Sequence, residues 1–247
     1  MPFDLGPGTG AALAIALFGA AFVRGYSGFG FSAIFIAFAA LITNPLTLIP
    51  VVFACEMLMT LFQARGIRGH VDWRRVIALL IGAAVVLPAS VWFILSLGEE
   101  TVRVTVSLIV LIMSLILLTG WTLPAIRARG HVGVGMVSGL CNSAGIGGLP
   151  VAAFMTAQPI TAPTFRATMI VYLTGLDLIT MPLLWAGGLV TWETAIAAAM
   201  AFPILGLGVW LGGRQFLAAS PSTFRRFAVM LLLGLSALGL TRAMTGI

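Results

Sequence analysis

Long apolar runs separated by short polar loops dominate this chain, and no other feature narrows the folding problem as much. They cover roughly residues 9–42, 46–64, 74–97, 101–119, 131–157, 163–186, 190–213 and 223–243. About 20 apolar residues carry a helix across a bilayer core. Only 8% of the residues are charged and 60% are hydrophobic. A soluble domain carries about a quarter charged residues, so this chain cannot cover a water-facing surface. Its runs lack the alternation of an outer-membrane barrel. Helices remain, because they satisfy their own backbone polar groups in lipid. The expected fold is an all-α polytopic membrane protein: one integral domain, multi-pass in the inner membrane, with the lipid bilayer as its surroundings.

The excess of 13 Lys+Arg over 7 Asp+Glu, net +6, lies in the loops and reads as topology rather than as a nucleic-acid surface. Arg65, Arg68, Arg74 and Arg75 mark a cytoplasmic loop, and Glu99, Glu100 and Arg103 an outer one. Arg127, Arg129 and His131 return the chain to the cytoplasm. His70 and His131 are both placed in basic loops and given no role. In the second half the signs reverse: the loop ending at Glu193 is acidic, and the one from Arg214 to Arg225-Arg226 is basic. Trp73, Trp121, Trp185 and Trp192 stand at run ends as interfacial anchors. Cys55 and Cys141 show no disulfide or metal spacing, and no cofactor motif is present. The N-terminal Met1-Pro2-Phe3-Asp4 lacks the basic start of a cleaved signal peptide and is expected to be retained.

Two runs are broken by glycines: Arg24-Gly25-Tyr26-Ser27-Gly28-Phe29-Gly30, and Cys141-Asn142-Ser143-Ala144-Gly145-Ile146-Gly147-Gly148. Such breaks are tolerated only against protein or a wet cavity. Paired breaks at matching places in two halves point to a transporter's substrate site. The halves do correspond in order: Asn44-Pro45 with Gln158-Pro159, Val71-Asp72-Trp73 with Val190-Thr191-Trp192, Pro88 with Pro203, Thr101-Val102-Arg103 with Thr223-Phe224-Arg225. Equivalent loops carry opposite charge, so the expected arrangement is two inverted repeats, residues 1–125 and 126–247. Each is a glycine-broken re-entrant hairpin (9–42 or 131–157) plus three transmembrane helices: 46–64, 74–97 and 101–119, then 163–186, 190–213 and 223–243. The first arm of 9–42 is long enough to approach a full crossing. The rival arrangement makes each broken run one span and leaves Arg214, Arg225 and Arg226 outside.

The basic loop "RGIRGHVDWRRV" and the run "FRATMIVYLTGLDLITMPLLWAGGLVTW", with Phe165-Arg166-Ala167, Gly206, Gly208, Gly212 and Phe224-Arg225, resemble the TauE/SafE family, also called the sulfite exporter or 4-toluene sulfonate uptake group. The resemblance covers nearly the whole chain. It implies transport of small sulfur-containing anions such as sulfite, sulfonates or sulfoacetate, outward in some members and inward in others. The first break reads Gly28-Phe29-Gly30 where family members often show adjacent glycines.

Helices beginning near Phe31 and Leu149 would aim free backbone N–H groups at such an anion. Ser27, Asn142 and Ser143 add side-chain donors beside them. The expected substrate contacts are Arg24, Tyr26, Ser27, Gly28, Phe29, Gly30, Asn142, Ser143, Gly145, Gly147, Gly148 and Arg166, meeting near the midplane. Close helix packing is the alternative role for the glycines. Arg24 either meets the anion, neutralises a buried acid or snorkels to an interface, and Arg166 contacts the anion or anchors to headgroups. Tyr26, Phe29 and Tyr172 either line the path or pack. Glu56 and Asp177 are intramembrane carboxyls, suited to carrying protons or to structural pairs with Arg24 or Arg166. Gly206, Gly208, Gly212 and Gly213 suit internal packing or a homodimer equally. The leading reading is a secondary transporter working by alternating access. A channel shares the breaks. An intramembrane protease lacks its Ser/His pair or second Asp.

Overall fold

A computed structural model describes Phe3, residues 6–119 and 128–216, and Met230, Leu233, Gly234 and Ala237. The run 223–243, with Arg225 and Arg226, and the residues Trp121 and Arg127 lie outside the described residues. Among the described residues the chain is all-helical: α1 (Pro7–Ser27), α2 (Phe31–Ile42), α3 (Pro45–Gln63), α4 (Trp73–Leu95), α5 (Glu99–Thr119), α6 (Ala128–Asn142), α7 (Gly148–Thr156), α8 (Ala162–Ala186) and α9 (Trp192–Phe216).

Local chemistry sets the starts of three spans. Asn44 Oδ1 accepts from the Leu46 N–H at 2.9 Å, with Pro45 opening α3. Asp72 caps α4 through the Arg75 N–H at 3.1 Å, and Thr161 caps α8 through the Thr164 N–H at 3.4 Å. The six helices α1, α3, α4, α5, α8 and α9 are long and apolar enough to cross a membrane. With 12 and 9 residues, α2 and α7 reach about 18 Å and about 14 Å, against a hydrocarbon core of about 30 Å. These two short helices are also the most wrapped in protein: every described residue from Gly148 to Met155 is buried. On α4, by contrast, Ile77, Ile81, Val85 and Trp92 form an exposed stripe that suits lipid.

Contacts between helices give each one a direction. α1 and α9 run side by side in the same sense. A methyl group on Gly208 would lie 2.8 Å from Ala21 Cβ, and Gly212 abuts the Phe22 carbonyl and Tyr26 nitrogen. α4 and α6 are parallel in the same way: Gly135 abuts Leu79, Gly139 abuts Ala83, and Ser90 Oγ donates to the Gly139 carbonyl at 3.2 Å. α4 and α8 are parallel, with Gly175 against Leu80 and Gly187 against Leu95. α3 runs against α8, tied by a Thr60–Thr174 hydroxyl pair at 2.7 Å.

All of this sorts the chain into two ends. At one stand Arg65, Arg68, Arg74, Arg75, Arg129, Arg166 and Arg214, with Asp72 paired to Arg75; at the other stand Glu99, Glu100, Arg103 and Glu193. The first is the cytoplasmic end by the positive-inside rule. From the outer end α1 descends to the cytoplasmic end. α2 then climbs back, so that the Thr43 carbonyl accepts from Arg103 Nη2 at 3.2 Å. From the cytoplasmic end α6 rises, and α7 returns the chain to it, where Gln158 Oε1 accepts from Arg75 Nη2 at 3.3 Å. His131 differs from expectation. It sits inside α6, is 5% exposed, and meets the Phe154 ring edge-on at 5.1 Å.

Candidate functional site

The first break lies at the cytoplasmic end, where α1 stops among α3, α8 and α9. Gly28 (φ 82°) and Gly30 (φ 91°) adopt left-handed backbone that suits glycine. The Gly28 N–H returns to the Arg24 carbonyl at 2.8 Å. A side chain on Gly28 would also strike Arg166, whose Cγ lies 2.9 Å from the Cβ position. Ser27 Oγ lies 2.8 Å from both the Val23 and Phe29 carbonyls, so its single proton stays within the turn. Phe29 packs edge-on against Phe165 at 5.6 Å, and Tyr26 is buried.

Arg24 points away from lipid into a polar cluster. Its Nη1 donates to Glu56 Oε1 at 2.9 Å and its Nη2 reaches Thr60 Oγ1 at 3.4 Å. Arg24 and Glu56 are fully buried, at 0% and 1% exposure. Gln63 Nε2 donates to the Arg24 carbonyl at 3.4 Å, while Gln63 Oε1 is buried with no hydrogen-bond partner. Asp177, at 0% exposure, completes the cluster from α8. Neither of its oxygens makes a hydrogen bond of normal geometry. Glu56 nevertheless stands close enough to interact with it directly, and Arg24 is its cationic neighbour.

Beside this cluster, a cavity of about 330 Å³ opens between the cytoplasmic ends of α3, α8 and α9. Gln63, Arg166, Val209, Trp210, Gly213 and Arg214 are among its lining residues. Arg166 Nη2 donates to the Gly25 carbonyl at 2.8 Å, and the Arg214 guanidinium lies 4.1 Å from the Trp210 ring centre. Two cations therefore border a space whose lining residue Gln63 is hydrogen-bonded to the Arg24 carbonyl.

The second break is closed on itself. Asn142 Nδ2 donates to Thr180 Oγ1 at 2.9 Å, and its other side fills the place where Gly147 would carry a Cβ. Ser143 Oγ donates to the Leu140 carbonyl at 2.9 Å. Tyr172 donates to Ser138, which donates to the Gly147 carbonyl, each at 2.6 Å. Gly145 (φ 77°) fits against Ile36 and Ile49, and Gly148 against Leu173.

The two breaks do not meet at one point. Gly28 rests on Arg166 and Asn142 bonds Thr180, and those α8 residues are about 21 Å apart along the helix axis. The structure thus joins Arg24, Glu56 and Asp177 in one cluster with Arg166 beside it, and keeps Asn142, Ser143, Gly145, Gly147 and Gly148 apart. Thr60, Gln63, Thr174 and Arg214 belong to the site and were not singled out as contacts from sequence. Glu56, Thr60 and Gln63 share one helix face at steps of four and three, and that spacing is the signal that would have found them. The four α9 glycines all pack within the chain: Gly206 on Phe62, Gly208 and Gly212 on α1, Gly213 beside Arg166.

A family profile described as sulfite exporter TauE/SafE matches residues 13–239. The chain belongs to the TauE/SafE family. Membership in TauE/SafE and the six apolar spans among the described residues make it a multi-pass transporter of the inner membrane. A TauE/SafE protein of Cupriavidus necator, called a probable sulfite/organosulfonate exporter TauE, is 30% identical over 228 residues, covering 85% of this chain and 86% of that protein. No solved structure matches the chain.

Proposed function

We propose that this chain is a secondary transporter of a small sulfur-containing anion, sulfite or an organosulfonate, working by alternating access between two inverted repeats. The observation that carries the reading is the cytoplasmic cavity with Arg166 and Arg214 on its wall, Arg166 being bonded to the Gly25 carbonyl of the first glycine break. A doubly or singly charged oxyanion finds there two fixed guanidiniums, which match its oxygens in pairs. The exporter name of the Cupriavidus necator relative supports the same substrate class.

The helix pairings support the repeat. Exchanging the halves turns α1 into α6 and α9 into α4, and the close pairs α1–α9 and α6–α4 are the two most extensive among the described residues. The register that matches Pro45 with Pro159 also matches Thr60 with Thr174, which are 114 residues apart and bonded to each other. A pseudo-two-fold axis passing through that hydroxyl pair makes α3 and α8 the hinge line. The first break then swings with its own half and opens the cavity to the other side.

Purified protein in liposomes is expected to show saturable uptake of radiolabelled sulfite or methanesulfonate, with unlabelled anion on the inside accelerating it. Uptake of neither anion above protein-free liposomes would reject the reading. Linear, unsaturable flux at channel rates would replace it with a pore.

A further inference from the structure

The buried cluster has one cation for two carboxyls. Arg24, Glu56 and Asp177 are all at or near zero exposure, and an unbalanced charge at that depth is expensive. Glu56 holds the Arg24 guanidinium at 2.9 Å. Asp177 has no hydrogen-bond donor on either oxygen and faces the Glu56 carboxyl. The electroneutral occupancy is therefore Arg24 charged, Glu56 ionised and Asp177 carrying a proton.

The other ionisable groups around the cluster do not change that count. α3 adds Cys55 beside Glu56, and α8 adds Tyr172 beside Asp177, with Cys141 of α6 facing Tyr172. Arg166 faces Arg24 from α8 and keeps its charge on bonding the neutral Gly25 carbonyl, but it lines the open cavity, where solvent ions balance it. α2 and α7 carry no ionisable side chain. Arg74 and Arg75 on α4, Arg214 on α9, and Glu99, Glu100 and Arg103 on α5 stand at the ends of their helices.

A monovalent anion that reached Arg24 from the cavity would compete with Glu56 for the guanidinium. The cluster would then hold one negative charge too many, and one more proton would restore neutrality. We propose that Glu56 and Asp177 form a proton-holding pair that takes up one proton for each monovalent anion engaging Arg24, so that anion and proton cross together. The proton enters from the water on the anion's side, sits on the carboxyl released from Arg24, and leaves with the anion on the other side as the ion pair reforms. The coupling rests on the carrier reading above.

The test uses full-length protein in liposomes loaded with the pH dye pyranine, with methanesulfonate as the probe because it stays ionised across the physiological range. An inward methanesulfonate gradient is expected to acidify the lumen. A one-unit inward proton gradient is expected to drive about tenfold accumulation, the limit for one proton per electroneutral cycle. The double variant Glu56→Gln/Asp177→Asn, monodisperse in detergent, is expected to lose both acidification and accumulation. Wild-type protein that moves methanesulfonate without acidifying the lumen overturns the coupling and leaves the carrier reading standing. So does a double variant that still acidifies it. Wild-type protein that moves neither methanesulfonate nor sulfite overturns the carrier reading, and the coupling with it. If the double variant does not fold, the wild-type dye record alone decides.

Discussion

The two glycine breaks share a pattern in sequence and differ in what surrounds them. The first ends in Arg24, a charge with a partner on another helix, and its Gly25 carbonyl and Gly28 backbone touch Arg166 at the wall of an open cavity. The second ends in Asn142, Ser143 and a short chain of hydroxyls, all neutral and all hydrogen-bonded within the chain. One break stands among charged side chains, and the other locks α6 and α7 to α8. Two breaks of one sequence pattern can thus keep the same backbone device with different side chains around it. Glycine marks where a helix is interrupted, and the neighbours decide what the interruption does.

The largest effect is expected at Arg24. Arg24→Ala leaves Glu56 buried without its partner and should cost about 3–5 kcal/mol, read as thermal unfolding in detergent. Replacing both partners, Arg24→Met with Glu56→Leu, should recover most of that stability and no transport. Recovery of uptake in the double variant would remove Arg24 from the mechanism.

The glycines come next. Gly28→Ala and Gly145→Ala each put a side chain on left-handed backbone, at about 1–2 kcal/mol. The stability losses should be similar, but only Gly28→Ala pushes on Arg166 and should lower uptake beyond what the loss of folded protein explains. Equal specific uptake from the two variants would erase the distinction between the breaks.

Smaller effects should separate lock from site. Thr180→Val removes the Asn142 partner and should cost about 1 kcal/mol of stability while leaving the KM for anion unchanged. Arg214 is exposed at the cavity mouth, so Arg214→Gln should raise KM by about two- to fivefold, under about 1 kcal/mol, and more so at low salt.

Much of the frame was legible because hydropathy is local. The run read as 46–64 is α3, Pro45–Gln63, and that read as 163–186 is α8, Ala162–Ala186. The breaks were legible for the same reason, since Gly28, Gly30 and Gly145 adopt backbone that other residues resist. What depends on distant pairing was not. Arg24 offered three roles from sequence, and only the fold shows Glu56, 32 residues away, at 2.9 Å. Asn142 looked like an anion donor because nothing local reveals that Thr180, 38 residues away, uses it. His131 read as a loop residue because basic neighbours masked a helix whose inner face it joins.

The central claim is that the anion binds beside the first break. Equilibrium binding of radiolabelled sulfite to purified Arg166→Gln and Asn142→Ala tests it most directly. An affinity loss of about tenfold or more, worth about 1.4 kcal/mol, is expected for Arg166→Gln, and wild-type affinity for Asn142→Ala. A loss confined to Asn142→Ala, or equal in both variants, would contradict it.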